Sequence, residues 1–257
     1  MRTNQTDWRR KLARFAPRWI KQLIKYAIFV TEYLGFRKLT SAHANRFPPL
    51  SWRERLPCLD DKNSNTPFDK HYIYHPAWAA RVLAKTRPSR HVDISSSLAF
   101  STIVSAFIPV DFYDYRPALI GLKGMNSKFG DLMKLPFPDG ELESVSCMHV
   151  IEHVGLGRYG DPLDVDGDIK SLTELKRIVR SGGDLLIVVP VGLPRIVFNA
   201  HRIYAYEQVV GHFEGFELKE FSLITDHGSP EGMIENASPN LVRLQKYGCG
   251  CFWFRKL

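Results

Sequence analysis

The sequence predicts an α/β fold in which a parallel sheet is wound with crossover helices. Two stretches predict it. In the first, the apolar run Val145-Ser146-Cys147-Met148-His149 reads as a strand and is followed by a polar loop. Leu172 to Arg180 then reads as a helix, Ser181-Gly182-Gly183 as its stop, and Leu185-Leu186-Ile187-Val188-Val189 as the next strand. Strand, loop, helix, stop and strand in that order make a parallel pair joined by a crossover. In the second, the strand His91-Val92-Asp93-Ile94, the apolar helix Leu98 to Ile108 and the strand Val110 to Tyr113 repeat the unit. A chain of 257 residues is long enough to bury roughly 70–75% of its unfolded surface in one core. One domain with an extension follows.

In chain order, residues 1–40 form a basic helical extension, 41–70 a linker and 71–257 the body. Leu12, Phe15, Trp19, Leu23 and Tyr26 recur at spacings of three and four with Lys and Arg between them, and Pro17 starts or breaks that helix. Residues 1–40 hold ten Lys or Arg against two acids, so the whole net charge of +8 lies there, and the remaining 25 basic and 25 acidic residues cancel. The extension therefore suits docking on an anionic membrane surface, or packing as an ordinary amphipathic helix. The neutral body lacks the basic balance of a nucleic-acid-binding protein, so no nucleic-acid partner is expected. The longest apolar run of the extension, Tyr26 to Thr31, is far too short to span a bilayer. Four cysteines in a chain this long do not make a disulfide framework. A cytoplasmic location, with peripheral membrane contact through residues 1–40, is the expectation.

The linker, with Phe47-Pro48-Pro49-Leu50 and Leu59-Asp60-Asp61, is turn chemistry. Tyr72 to Lys85 is a helix starting near Pro76, because proline suits the first turn. After the strands ending at Ile94 and Tyr113, a short third strand lies near Leu119–Leu122 or Lys128–Phe129. The fourth is Val145 to His149 and the fifth Leu185 to Val189. Tyr206 to His212 is a helix, and Phe216 to Ile224 and Tyr247 to Phe254 are the sixth and seventh strands.

In an open α/β sheet, ligands bind past the carboxyl ends of the strands where the strand order reverses. That singles out Asp93 to Ser97 and Cys147 to His153. His149-Val150-Ile151-Glu152-His153 has the form H-x-x-E-H of some zinc peptidases, but that motif works on a helix and here it follows a strand. A histidine at this place can take a proton from an attacking hydroxyl or amine. The bland alternative is that Glu152 and His153 open the next segment and bond its backbone. Asp164, Asp166 and Asp168 mimic the start of a calcium loop, but the glycine and the twelfth residue, Leu175, fall wrongly. The stretch 155–168 reads instead as a rim over an acceptor pocket, with Arg158 and Tyr159 as contacts and Asp168 as a helix cap. His201 and Arg202, past the fifth strand, suit a polar or anionic acceptor, or a solvated loop. Asp226-His227 is a weaker candidate. Cys249-Gly250-Cys251 lacks a second ligand pair and reads as strand, so no metal is expected.

The stretches GDLMKLPFPDGELESVSCMHVIEHV and LTELKRIVRSGGDLLIVVP resemble the second half of a class I S-adenosylmethionine-dependent methyltransferase, of the methyltransferase type 11 kind. GLGRYGDPLDVDGD and FNAHRIYAYEQV resemble the uncharacterised domain-of-unknown-function family 268. The resemblance covers about Tyr72 to Leu257. It implies a Rossmann-like, seven-stranded, mostly parallel sheet with helices on both faces and the last strand inserted antiparallel between the fifth and sixth. It also implies S-adenosylmethionine as cofactor, and methyl transfer to an oxygen or nitrogen of a small molecule or glycan. His149, Glu152 and His153 are then catalytic. Asp93, Ser95, Ser96, Ser97, Asp114, Asp131, Leu132 and Cys147 are cofactor-binding, with Asp114 toward the ribose hydroxyls and Asp131 and Leu132 toward adenine. Arg158, Tyr159, His201 and Arg202 bind the acceptor. Some relatives hold a divalent ion with Glu-x-x-Glu-His in the fourth-strand loop, where this chain has His149 first. The family's glycine-rich turn after the first strand is Ser95-Ser96-Ser97-Leu98-Ala99 here. That departure favours the alternative of a degenerate fold that has lost the cofactor and serves as a binding or scaffold module. Nicotinamide chemistry is disfavoured, because no G-x-G-x-x-G follows the first strand.

Overall fold

The structure is a computed structural model that describes residues 17–41, 47–226 and 232–257. The chain divides into two compact units, Met1–Pro67 and Phe68–Leu257. In the first, helix α1 (Arg18–Ser41) starts directly after Pro17, where a fixed φ and a missing N–H cost nothing. Trp19, Leu23, Phe36 and Leu39 on it are exposed. Tyr33 and Phe29 pack their rings 4.7 and 6.3 Å from Trp52, on a short 3-10 turn (Trp52–Glu54). Leu12 and Phe15, expected on the same helix, lie outside the described residues.

The second unit runs through helix α2 (Lys70–Thr86), β1 (His91–Ile94), α3 (Leu98–Val104), β2 (Val110–Asp114), β3 (Met125–Phe129) and β4 (Leu142–Met148). It continues with α4 (Gly167–Ile178), β5 (Val179–Val191), β6 (Arg195–Val197), β7 (His201–Ile203), α5 (Tyr206–Gly211), β8 (Phe216–Ile224), β9 (Met233–Ile234) and β10 (Gly248–Lys256). The main sheet has the order β3-β2-β1-β4-β5-β10-β8-β9. Strands β3 to β5 pair in parallel, and β10 is antiparallel to both β5 and β8. The seven expected strands are present in the expected arrangement, with the two-residue β9 added at the β8 edge.

Alternation along the central strands supplies a core to each face. Leu185, Ile187, Val189, Phe252 and Phe254 pack with Leu172, Leu175 and Ile178 of α4 on one side. Leu186, Val188, Cys249 and Cys251 pack with Trp78, Val82 and Leu83 of α2 and Phe100 and Val104 of α3 on the other. A parallel strand covered on both faces reads as a continuous apolar run, which is why Leu185 to Val189 was legible.

Several boundaries differ from the sequence expectation. Helix α2 starts six residues before Pro76, capped by Asp69, whose carboxylate accepts from the N–H of His71 and Tyr72. The α3 helix stops at Val104 rather than Ile108, and β3 takes the second of its two expected positions, reaching back from Phe129 to Met125. Helix α4 ends at Ile178, and the Gly182-Gly183 stop lies inside a bulge of β5, with Gly182 at φ 74°. The loop around His201 is an antiparallel hairpin, β6–β7.

Candidate functional site

Strand order reverses between β1 and β4, and a cleft opens at their carboxyl ends. It has a cavity volume of about 190 Å³ and opens to solvent. Ser95 and His149, the first residues past the two strands, both line it, and both have positive φ, 55° and 57°. Such φ is uncommon away from glycine. The chain bends as a glycine turn would, and each residue's side chain stays small or turns aside.

The three serines divide their work. Ser95 donates its N–H and its hydroxyl to the Tyr113 carbonyl, at 2.7 and 3.1 Å. Ser96 Oγ accepts from the Met148 N–H at 3.0 Å, tying the β1 loop to the end of β4. Ser97 caps α3 by accepting from the Phe100 N–H at 3.2 Å. Only Ser95 faces the cleft.

Asp114 and Asp131 both line the cleft. Each spends one oxygen on a turn: Asp114 accepts from the Arg116 N–H at 2.7 Å and Asp131 from the Met133 N–H at 2.9 Å. The second oxygen of each has no partner among the described residues. Leu132 lies between them in the wall. Arg177 holds this wall from behind, donating to the Leu135 and Phe137 carbonyls while paired with Glu174.

Asp93 and Cys147 do not reach the cleft; both are fully buried. Asp93 accepts from Ser146 at 2.6 Å and from Ser101, and burial raises its pKa to about 6 against those hydrogen bonds. Their expected cofactor contacts are therefore corrected to support of the sheet beneath the site.

Glu152 lies wholly buried on a 3-10 turn (Ile151–His153), and its Oε1 is 2.8 Å from His149 Nδ1 and 3.8 Å from His153 Nε2. His153 Nδ1 donates to the Ala200 carbonyl at 2.5 Å, which assigns the proton of the neutral ring to Nδ1 and leaves Nε2 a lone pair. His149 is more constrained. Burial opposes its charge, but the Cys249 sulfur and the Glu152 carboxylate outweigh burial and raise its pKa.

The rim comes from stretch 155–168. Gly155 sits at φ 80°, where a Cβ would stand 2.1 Å from the Asp164 carbonyl oxygen, so only glycine closes this loop. Tyr159 lines the cleft and the Arg116 guanidinium lies 4.6 Å over its ring. Arg158 is exposed and donates to the Ala200 carbonyl at 3.1 Å. Arg202 is a correction. Its buried guanidinium donates to the Val154 and Val165 carbonyls at 2.6 and 3.2 Å and pairs with Asp168 at 3.6 Å, so it clamps the rim rather than facing an acceptor. Asp168 likewise makes no cap bond and accepts from the Tyr204 hydroxyl at 3.0 Å. His201 lies outside the cleft lining, its ring 4.8 Å from Tyr247. His227 is outside the described residues. Tyr115 and Arg116 join the wall without having been singled out; their place directly after the second strand was the available signal.

The sheet order places the antiparallel β10 between β5 and β8, with a cleft at the β1–β4 switch. Among solved structures, the MccD protein superposes with a TM-score of 0.50 at 14% identity, over 72% of this chain and 97% of that one. The fold is that of a class I methyltransferase. Two further structures are similar to this methyltransferase-like chain, each over 70% of it at 14% identity. One is the cyclase SpnF, with a TM-score of 0.49 and 81% of that chain covered. The other is a SAM-dependent methyltransferase, possible histamine N-methyltransferase, from Thermotoga maritima, with a TM-score of 0.46 and 96% covered. Residues 138–237 match the family model described as Caenorhabditis protein of unknown function, DUF268. That stretch holds β4, the 155–168 rim and β5, and ends before β10. No curated protein matches the chain.

Proposed function

We propose that the cleft binds S-adenosylmethionine and that the protein transfers its methyl group to an oxygen or nitrogen of a small molecule or glycan. The observation that carries this is the pair of cleft-facing carboxylates, Asp114 and Asp131, each with one oxygen left over after its turn is made. A carboxylate at the end of the second strand accepts from ribose hydroxyls by the logic of dinucleotide folds, and Asp131 with Leu132 suits the adenine edge. The positive-φ turn at Ser95 lets the backbone approach the amino-acid end of the cofactor.

When bound, the sulfonium supplies an electrophilic methyl group. An acceptor's lone pair would take that methyl, with a neutral thioether as the leaving group. His153 Nε2 takes the acceptor's proton, because its Nδ1 is already committed to Ala200. Glu152 holds His149 and faces His153, so it positions both rings and balances the charge that His153 gains. Tyr159 and Arg116 form the rim that limits water and orients the acceptor.

The serine loop favours a second reading, a scaffold without cofactor. Ser96 and Ser97 turn their oxygens to the protein and offer nothing to a ligand carboxylate. Isothermal titration with S-adenosylhomocysteine separates the readings. Saturable binding at one site, weakened about tenfold in Asp114→Asn through one lost charged hydrogen bond, supports the enzyme; absence of heat at millimolar ligand supports the scaffold.

The same proposal puts the chain in a reducing cytoplasm, where its four thiols stay free. Among the described residues no helix is long and apolar enough to cross a membrane. Residues 1–40 would instead bring it to anionic membrane surfaces, as the exposed Trp19, Leu23 and Leu39 beside basic residues suit. Deleting residues 1–40 should abolish sedimentation with phosphatidylserine-containing vesicles; unchanged sedimentation refutes that part.

A further inference from the structure

We infer that the second unit carries a thiophilic metal site, selective for Zn²⁺, built by His71 of α2, His149 past β4 and Cys249 of β10. It does not depend on cofactor binding.

The donor atoms of His71, His149 and Cys249 lie within 4.8 Å of one another. Cys249 Sγ stands 3.4 Å from His149 Nε2. Tetrahedral zinc with ordinary bond lengths sets such a nitrogen–sulfur pair about 3.6 Å apart, so these two are already spaced as ligands. The His71 ring makes no hydrogen bond among the described residues, and its centroid lies 5.3 Å from that of His149. It needs to close by ~1 Å to complete the spacing that zinc requires.

Two further features support a cation site here. His75 is fully buried, and its Nε2 has no hydrogen-bond partner. Its ring lies 5.1 Å from that of His149, beside the three donors. His71 and His75 stand four residues apart on α2, a spacing that puts both rings on one helix face. Glu152 Oε2 is likewise buried without a partner.

The outer contacts are those that orient metal-bound histidines. His149 has its Nδ1 on the Glu152 carboxylate at 2.8 Å, and His75 has its Nδ1 on the His71 carbonyl at 2.6 Å. With its Nδ1 committed, the Nε2 of His149 is the atom that faces Cys249 and would meet the metal. Two imidazoles and a thiolate leave the fourth position to water, and the soft thiolate selects zinc over magnesium or calcium. Binding releases the Cys249 thiol proton to solvent. The metal would tie α2 to the carboxyl end of the sheet beside the cleft.

The test uses the full chain, stripped with chelator and titrated with Co²⁺ and Zn²⁺. One Co²⁺ per chain should bind with tetrahedral visible bands and a thiolate-to-cobalt charge-transfer band. Zn²⁺ should displace it and raise the melting temperature, and Mg²⁺ should not. Cys249→Ser should abolish the charge-transfer band, while Cys58→Ser, which removes the exposed thiol, and Cys147→Ser, on the opposite face, should keep it. His71→Ala should weaken Zn²⁺ binding at least ~tenfold. Far-ultraviolet circular dichroism checks that each variant is folded. Binding below one equivalent, a band that survives Cys249→Ser, or one lost in Cys58→Ser overturns the site.

Discussion

Asp93 is fully buried at the end of β1, and desolvation raises its pKa to about 6 against the hydroxyls of Ser101, Ser146 and Ser96. A folded-state pKa above the unfolded one means that the native protein holds the proton more tightly. The stability that this confers is present in full below the unfolded carboxyl range and is lost as pH rises through about 6. Asp93→Asn cannot titrate. Urea midpoints for the two proteins should therefore diverge in favour of the variant between pH 4 and pH 6, by an order of ~2–3 kcal/mol. Parallel pH profiles would place the carboxylate elsewhere. The positive φ of Ser95 and His149 was not legible in the sequence, because neither residue type announces it. The aspartates ending the second strand and following the third were legible, because strand ends define the cleft. Asp93 and Cys147 sit inside strands, where alternation sends their side chains into the sheet faces rather than to its end.

The rim 155–168 borders the cleft through Tyr159 and Asp161, and Arg202 clamps it. Arg202 is 5% exposed and satisfies the Val154 and Val165 carbonyls while balancing Asp168. Arg202→Ala leaves a buried carboxylate with only the Tyr204 hydroxyl and leaves two carbonyls unpaired. A loss of about 3 kcal/mol in urea unfolding is expected, with faster hydrogen exchange confined to the rim. A loss under ~0.5 kcal/mol, the range of ordinary surface changes, would contradict the clamp. The sequence located this rim by its glycines but gave Arg202 to the acceptor, since a guanidinium reads alike whether it meets a ligand or a carbonyl. Helix α2 was started too late because Pro76 suits a first turn. The Asp69 cap, followed by His71 and His75 on one face, was the better signal and would also have exposed the histidine pair. The β6–β7 hairpin was missed because its three-residue strands show no alternation of their own.

At the scale of the whole molecule, the sheet order was legible because apolar runs, turn residues and crossover helices agree from one level to the next. The first unit carries basic residues and exposed aromatic side chains on α1, and the second brings the carboxyl ends of β1, β2 and β4 to one cleft. A fold alone does not fix a function, so the account rests on that cleft accepting a nucleoside thioether. Thermal unfolding of the full chain with and without S-adenosylhomocysteine tests this most directly. Ligand at about 100 times its dissociation constant adds about 2.7 kcal/mol to the native state, which should raise the melting temperature by about 5 °C or more. A melting temperature unmoved at millimolar ligand would contradict the account.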